Sequence, residues 1–525
     1  MRVFYDYIAT VKGNHGEVAM LSVLFGKKSD HPMADIKSAQ ALLEDLPKND
    51  AHRSLGELAE WIESVSDQAD FRLEHQFAVL RLLDETAQPH VHKLARDYFT
   101  PGELGKFQEN RLWLALDNFY RHSFNAYGTL FDRYSSGDKG AGTLREHVPL
   151  IVTRALHALT RRLKYASAHY CPADSGIWAD LAKLYRHAEQ QNYLDVPVVP
   201  YHGMGGDTSV RLAVSHLLGW YGCGGSALSP LDIHFVERIV GQYCAAIEFG
   251  AHLGANSLFS FNLERPAALV RIKLDSTVHP SMRYVDMTAM RPKLESLLKT
   301  LDKDVVPDEL NLGGTYEAER VRGAALHLLE YLADPPLRRS ARRSIKIDMN
   351  VVSGFAGLVE RAGEGGEDRA VYWEIEDISG NGFRAVLPAQ GIDGIRIGTL
   401  LGVRPGSVSH WGVAVVRRLM RDSDNLLHVG AEMLSSHVDS MVLGRSGSLD
   451  DGLPALWLHA KPGEPDDEAR LLMKADTFSM HRSLQTRFNG KHYLLIPVCL
   501  LERGFDYDLA RFRLVEQESG GDVSY

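Results

Sequence analysis

The sequence predicts an α+β multidomain protein: a mostly α-helical N-terminal region, then an antiparallel β-barrel, then a β-rich C-terminal extension. Three observations predict this fold class. Apolar residues recur at helical spacing over roughly the first 330 residues. The pair Pro335-Pro336 ends that pattern, because proline cannot continue a helical hydrogen-bond ladder. Short β-rich runs separated by Gly, Asp, Asn and Pro then follow.

Length and composition describe an ordinary globular chain. At about 150 residues per domain, 525 residues predict three or four domains. The chain is 45% hydrophobic and 24% charged, which excludes a wholly disordered or coiled-coil protein. A net charge of -10 disfavours non-specific coating of nucleic acid. Four scattered cysteines, no signal peptide and no apolar run long enough to span a bilayer predict a cytoplasmic protein.

The helical region is predicted to cover residues 1–334, and a division into two subdomains near 195–230 is left open. Trp178, Leu181, Ala182 and Tyr185 resemble the opening of a tetratricopeptide repeat, but no second copy follows, so a plain amphipathic helix is favoured. Three apolar stripes at helical spacing are Ile151, Ala155, Leu156, Leu159 and Leu163; Leu294, Leu297, Leu298 and Leu301; and Val321, Ala324, Ala325, Leu328 and Leu332.

Residues 335–440 are predicted to form the barrel and residues 441–525 the β-rich extension. The polar stretch Ser435 to Gly452 is expected to be a connector or an extra helix. The predicted barrel strands include Val371 to Ile375, Phe383 to Leu387, Gly412 to Val416 and Leu427 to Met433. Those of the extension are Ala455 to His459, Leu471 to Lys474, Tyr493 to Leu501 and Phe512 to Val515.

The densest positive charge in the chain lies where the helical part meets the β part. Four arginines, Arg338, Arg339, Arg342 and Arg343, occur within six residues and lead into a predicted strand. Neighbouring guanidinium groups repel one another, so the segment is stable only if it is exposed or meets an anion. A guanidinium is a planar fork that matches phosphate oxygens and also stacks on flat rings. An isolated cluster of this kind is more often a solvated linker than a site.

A second polar motif follows about 35 residues later, at the end of a predicted strand. Asp377 offers a carboxylate and Ser379 a hydroxyl, and Gly382 permits a close backbone approach. Taken alone, this string is more often a β-turn than a site.

Together, the two motifs resemble the PilZ domain, a six-stranded β-barrel family that binds the bacterial second messenger cyclic di-GMP. The family pattern is RxxxR before the first strand, then D/N-x-S-x-x-G at a strand junction. Arg339 and Arg343 satisfy the first part, as do Arg338 and Arg342 in the alternate frame, and which frame binds is left open. Asp377, Ser379 and Gly382 satisfy the second part. The resemblance covers roughly residues 335 to 440.

The resemblance implies a role for each of these residues. Arg339 and Arg343 would reach the phosphates and guanine edges, and Arg338 or Arg342 would stack on or bond to a second guanine. Asp377 would accept hydrogen bonds from a guanine edge, with Ser379 bonding nearby and Gly382 leaving room.

Other candidate sites are weaker. His90 and His92 form an H-x-H pair that the sequence places in a turn between helices, and we expect no metal there. The loop 203–209 lacks the lysine and the preceding strand of a phosphate-binding loop. Gly354 to Gly357 is expected to be a bulge or a close packing point within the first barrel strands. No catalytic motif is present, so we expect neither an enzyme nor a bound cofactor.

The sequence therefore predicts a cyclic di-GMP receptor whose barrel binds the dinucleotide and whose helical region contacts a protein partner. Alternatives remain open. In the first alternative, the chain is an adaptor protein with a PilZ-like barrel that binds no nucleotide. Its helical region would then dock a motility, secretion or polysaccharide partner. A hidden catalytic site in the helical region is disfavoured because residues 1 to 330 contain no recognisable chemistry. Nucleic-acid binding through the arginines is disfavoured because no aromatic platform lies beside them.

Overall fold

A computed structural model divides the chain into two compact units. The first contains Met1–Arg162 and Ala179–Val214, and the second contains Leu163–Trp178 and Ser215–Tyr525. The structure describes residues 31–100, 104–201, 206–272, 278–333, 342–363, 371–388, 394–445, 448–459, 465 and 467–517.

Helices dominate the described residues up to Leu332, as predicted. The three predicted stripes lie on helices, and nearly all of their residues are buried. Trp178 and Tyr185 are likewise buried on one face of a single helix. No helix among the described residues is both long and apolar enough to cross a membrane. The first seven helices are α1 (Ile36–Glu44), α2 (Ala51–Ser66), α3 (Leu73–Phe99), α4 (Lys106–Ser135), α5 (Ala141–Leu144), α6 (Val148–Ala168) and α7 (Gly176–Gln190). The next four are α8 (Val210–Tyr221), α9 (Pro230–Tyr243), α10 (Arg291–Leu301) and α11 (Ala318–Leu332).

The position predicted for His90 and His92 is wrong. Both lie inside α3, which continues through Pro89 rather than turning there. The helix is maintained by its buried face, which includes Ala87 and Val91 on either side of the proline. Tertiary packing has therefore overridden the helix-breaking tendency of Pro89.

A small antiparallel sheet interrupts the helices of the second unit. Its strand order is β1-β4-β2-β3, and the sequence did not predict it. Its strands are only two to six residues long, too short for a reliable alternating pattern. They are β1 (Glu248–Gly250), β2 (Ser257–Asn262), β3 (Val270–Arg271) and β4 (Met282–Asp286).

Six antiparallel strands then close into the first barrel, in the order β10-β7-β6-β5-β8-β9. Each strand predicted for this barrel is present. Alternation along β7 buries Phe383, Ala385 and Leu387 in the barrel core. The strands are β5 (Arg343–Ser353), β6 (Val371–Ser379), β7 (Gly382–Pro388), β8 (Leu400–Pro405), β9 (Gly412–Arg421) and β10 (Leu426–Ser435).

The predicted extension is a second closed six-stranded barrel, in the order β11-β12-β13-β16-β15-β14. The two barrels have the same topology when the strands of each are numbered one to six along the chain. In both, strand one pairs with strands two and four, strand three pairs with strands two and six, and strand five pairs with strands four and six. The strands are β11 (Val438–Arg445), β12 (Ser448–Leu458), β13 (Glu468–Lys474), β14 (Leu484–Phe488), β15 (Lys491–Arg503) and β16 (Tyr507–Gln517).

The connector or helix expected over Ser435 to Gly452 is therefore wrong. This stretch contains the whole of β11 and the beginning of β12. Pairing between β11 and β12, from Val438 with Leu458 to Leu443 with Leu453, fixes the backbone here rather than the local composition.

The two barrels share an apolar interface that includes Phe355, Trp411 and Tyr507, all at most 5% exposed. Of the two expectations for Gly354 to Gly357, the bulge is wrong, because Gly354, at φ 87°, precedes a short helix, α12 (Phe355–Ala362). The close packing point is confirmed, because a Cβ built on Gly357 would lie 2.9 Å from Cγ2 of Val352. Beside this interface, Arg417 binds Glu502 through two nitrogens at 2.7 and 2.6 Å. Burial raises the pKa of Glu502, but hydrogen bonds from Arg417 and Tyr507 outweigh it and leave that pKa below its ordinary value.

Candidate functional site

The predicted ligand-binding residues converge at one end of the first barrel, where β5 begins and β6 ends. Arg343 is the first residue of β5 and pairs with Ile378, while Ser344 pairs with Asp377. Arg342 directly precedes β5, and Ser379 ends β6 opposite Gly382. Arg338 and Arg339 lie outside the described residues. Antiparallel pairing thus brings together two motifs that are 35 residues apart in the chain.

Asp377 lies between two guanidinium groups. Its Oδ2 is 3.5 Å from Nη1 of Arg342 and 3.0 Å from Nε of Arg384. The Arg384 side chain also reaches Glu376, with Nη2 2.8 Å from Oε2. The carboxylate is only 13% exposed, whereas Arg342 is 50% exposed. Arg384 therefore restrains the largely buried Asp377 carboxylate, whereas the Arg342 guanidinium is accessible to solvent.

Arg384 is the residue of this site that the motif comparison missed. A signal for it exists in the sequence, because Gly380-Asn381 forms a two-residue turn between β6 and β7. Regular pairing outward from this turn places Arg384 opposite Asp377, and the register shifts only beyond that pair, between Asp377 and Ile375. We call the described residues Arg342, Arg343, Asp377, Ser379, Gly382 and Arg384 the arginine site.

Ser379 and Gly382 shape the turn at the edge of the arginine site. The Ser379 hydroxyl donates a hydrogen bond to the carbonyl oxygen of Gly382 at 3.2 Å. A Cβ built on Gly382 would lie 2.1 Å from the carbonyl oxygen of Ala431 on β10. The missing side chain of Gly382 therefore lets β7 approach β10 closely.

The chemistry of the arginine site suits a planar anion. The guanidinium groups of Arg342 and Arg343 are exposed hydrogen-bond donors at the edge of the barrel. The carboxylate of Asp377 is a largely buried acceptor beside them. Fork donors match phosphate oxygens, and a carboxylate accepts from paired N–H groups of a base. The Arg342 guanidinium is half-exposed and lies 3.5 Å from the Asp377 carboxylate, so Arg342 exchanges partners at small cost.

The helical part carries a different polar cluster, buried inside the first unit. Arg154 is 1% exposed; its Nη1 lies 3.3 Å from Asp84 and its Nη2 2.6 Å from Glu85. Tyr127 and Tyr201 donate hydrogen bonds to Asp84 at 2.8 and 3.1 Å. Burial raises the pKa of Asp84, and the charge of Arg154 opposes that rise. Because Arg154 and Asp84 are buried and bond to each other and to the neighbouring tyrosines, we assign the cluster to packing rather than to ligand binding.

Comparison with known families identifies one region of the chain. The family described as "Cyclic-di-GMP receptor FimW, N-terminal domain" matches residues 37–252, less than half of the chain. No curated protein matches the chain. The matched residues end before β5, so this similarity and the arginine motif are carried by different parts of the sequence. The helical region is thus similar to a domain of a cyclic-di-GMP receptor.

Proposed function

We propose that this protein is a cyclic di-GMP receptor that binds the dinucleotide at the arginine site of a PilZ-like first barrel. The observation that carries the proposal is Asp377, held between Arg342 and Arg384 where the arginine segment enters β5. The family similarity of residues 37–252 supports the same ligand independently, because its description names a cyclic-di-GMP receptor.

The ligand is a dianion with two guanine rings, and each proposed contact meets one of its groups. Arg343, with Arg339, binds the phosphates and a guanine edge. Arg342, with Arg338, leaves Asp377 and stacks on or bonds to the second guanine. Asp377 accepts from guanine N–H groups, with Ser379 beside it. Charge-assisted hydrogen bonds contribute about 1.5–3 kcal/mol each, so several of them support micromolar or tighter binding.

Arg384 has a positioning role in this proposal. It holds Asp377 from the β7 side and binds Glu376, so the carboxylate keeps its orientation when Arg342 moves away. Gly382 contributes through the close approach of β7 to β10, which fixes the turn that carries Ser379.

Binding is transmitted to the helices through the arginine segment. That segment joins α11, which ends at Leu332, to β5, which begins at Arg343. Within the second unit, the carbonyl oxygen of Tyr170 accepts a hydrogen bond from the amide of Arg421 on β9 at 2.7 Å. A ligand that binds the segment changes the balance between two states of the helical part, to the extent that it binds one state more tightly than the other. The shifted helical region then changes its contact with a protein partner.

Titration calorimetry with cyclic di-GMP on the full chain tests the binding site. We expect the wild type to bind, and Arg343→Ala and Asp377→Ala to lose most of the affinity. Arg487→Ala removes an exposed arginine from β14 of the second barrel and serves as the matched control. Equal binding by the wild type, Arg343→Ala and Asp377→Ala would refute the site. No binding by the wild type would favour the adaptor alternative.

Small-angle scattering with and without saturating ligand tests the coupling separately. A ligand-dependent change in the profile is the expected result. Identical profiles would refute the transmission step and leave the binding site standing.

A further inference from the structure

A second group of polar side chains lies where β10 passes into β11. His437 lies between these strands, Asp439 is on β11, and His459 follows β12. The Nε2 atom of His459 is 2.6 Å from Oδ2 of Asp439, and that of His437 is 3.4 Å from Oδ1. The three ligand atoms all lie within 4.8 Å of one another. We call these three residues the histidine cluster.

Backbone hydrogen bonds fix the histidine cluster. The amide of His459 donates to the carbonyl oxygen of His437 at 3.1 Å. The Ser435 hydroxyl lies 2.8 Å from the carbonyl oxygen of His437 and 3.3 Å from that of His459. The β11–β12 pairing carries Asp439 beside them. The three side chains are therefore brought together by the barrel itself, and a rigid scaffold of this kind is what a preorganised site requires.

The donor set and the exposure suit a metal ion. Two imidazole nitrogens and one carboxylate oxygen are ligands typical of Zn²⁺ and related transition metals. The three side chains are 37–39% exposed, so an ion can reach them. The imidazole rings of His437 and His459 are stacked 4.0 Å apart and parallel to within 2°, so binding one ion requires a ring rotation that aims both Nε2 lone pairs at it. His410 supplies a further imidazole, its ring centroid 4.5 Å from that of His437.

The position of the histidine cluster in its barrel repeats that of the arginine site. In the first barrel, Arg342 precedes strand one and Asp377 lies near the end of strand two. In the second barrel, His437 precedes strand one and His459 follows strand two. Because the two barrels share one strand order, both groups lie at the same junction of the scaffold.

The sequence alone predicted no metal site. From the geometry we propose that His437, Asp439 and His459 bind one divalent transition-metal ion of the Zn²⁺ class, with His410 or water completing the coordination. The amide of Val438 donates to the carbonyl oxygen of Trp411 at 2.9 Å, and both residues belong to the interface between the barrels. An ion held by His437 and Asp439 therefore lies beside that interface. This proposal does not depend on nucleotide binding.

The test uses the untagged full chain, stripped with a chelator and then titrated with Co²⁺ and Zn²⁺. We expect one Co²⁺ per chain, with visible absorption bands that Zn²⁺ abolishes by displacement. His459→Ala and the isosteric Asp439→Asn should weaken binding at least about tenfold, because losing even an outer partner of a metal ligand costs 10- to 100-fold. Circular dichroism confirms that each variant is folded.

His428→Ala is the matched control. His428 pairs with Asp422 at 2.8 Å on the first barrel, and no metal-ligand cluster includes it among the described residues. We expect this variant to bind Co²⁺ like the wild type. Failure of the wild type to bind one ion, or wild-type affinity in both His459→Ala and Asp439→Asn, would overturn the proposal.

Discussion

The two barrels have the same strand order but carry opposite chemistry at the same junction. In the first barrel, Arg342 and Arg343 lie beside Asp377 where strand one begins and strand two ends. In the second barrel, His437 and His459 surround Asp439 at that place. The scaffold fixes where side chains converge, and the local sequence decides whether the junction suits an anion or a cation.

The largest effect is expected from Gly382→Ala, which tests whether the first barrel depends on a close strand approach that the second does not use. The new Cβ would lie 2.1 Å from the carbonyl oxygen of Ala431, and backbone atoms cannot rotate away. We expect a loss of about 3 kcal/mol in the free energy of unfolding, the upper end for overpacking. Urea unfolding measures it. The equivalent first residue of strand three in the second barrel is Glu468, which carries a full side chain.

Gly406→Ala is the control for that prediction. Gly406 lies in the same barrel, is exposed, and has nothing within 4 Å of a built Cβ. Its unfolding midpoint should match that of the wild type. A Gly382→Ala protein as stable as the wild type would show that β7 and β10 can separate without cost.

A smaller effect is expected from Glu502→Gln at the link between the barrels. Gln keeps a hydrogen bond but removes the more buried of the two carboxylates that pair with Arg417, a loss of about 1–2 kcal/mol at neutral pH. The folded pKa of Glu502 lies below its ordinary 4.5. Its stabilisation is thus complete above that value and is lost as the pH falls through the folded pKa.

Urea unfolding at several acidic pH values checks this. Glu502→Gln should flatten the acid branch of the stability curve relative to the wild type. Glu432→Gln removes another carboxylate of Arg417, one that is 50% exposed, and should change little. Equal acid sensitivity in the wild type and Glu502→Gln would contradict the assignment.

A still smaller effect is expected from Arg384→Ala, which sharpens the role of the arginine site. If Arg384 positions Asp377, its loss should weaken cyclic di-GMP binding by about 1 kcal/mol, which is about fivefold in Kd. Arg384→Lys keeps the charge without the fork and should restore only part of that affinity. Calorimetry gives both values. Unchanged affinity in Arg384→Ala would contradict this role, because it would show that the Asp377 carboxylate keeps its orientation without Arg384.

The smallest effect is expected from Lys491→Ala on the second barrel. Lys491 pairs with Glu516 at 2.8 Å, but both side chains are more than half exposed. Solvent and salt screen such a pair, so the unfolding midpoint should not move measurably. Co²⁺ binding at the histidine cluster should also be unchanged, and a change in either would show that this rim is coupled to the rest of the barrel.

Local patterns in the sequence predicted the helices and most strands correctly. Each of these elements buries one face, and the spacing of its apolar residues indicates that face. Examples are the stripe from Val321 to Leu332 and the alternation from Phe383 to Leu387. The buried face can therefore be predicted without knowing which residues cover it. The pattern failed where several contacts decide the backbone: α3 continues through Pro89, and the polar stretch from Ser435 to Gly452 pairs as strands.

Short contiguous patterns were enough to predict the fold class and to identify Arg343 and Asp377 as candidates. Three features became visible only in the folded chain: the second barrel repeats the first, Arg384 meets Asp377, and His437, Asp439 and His459 converge. Each of these depends on strand register and barrel closure. Register and closure are set by non-local pairing, which leaves no contiguous pattern in the chain.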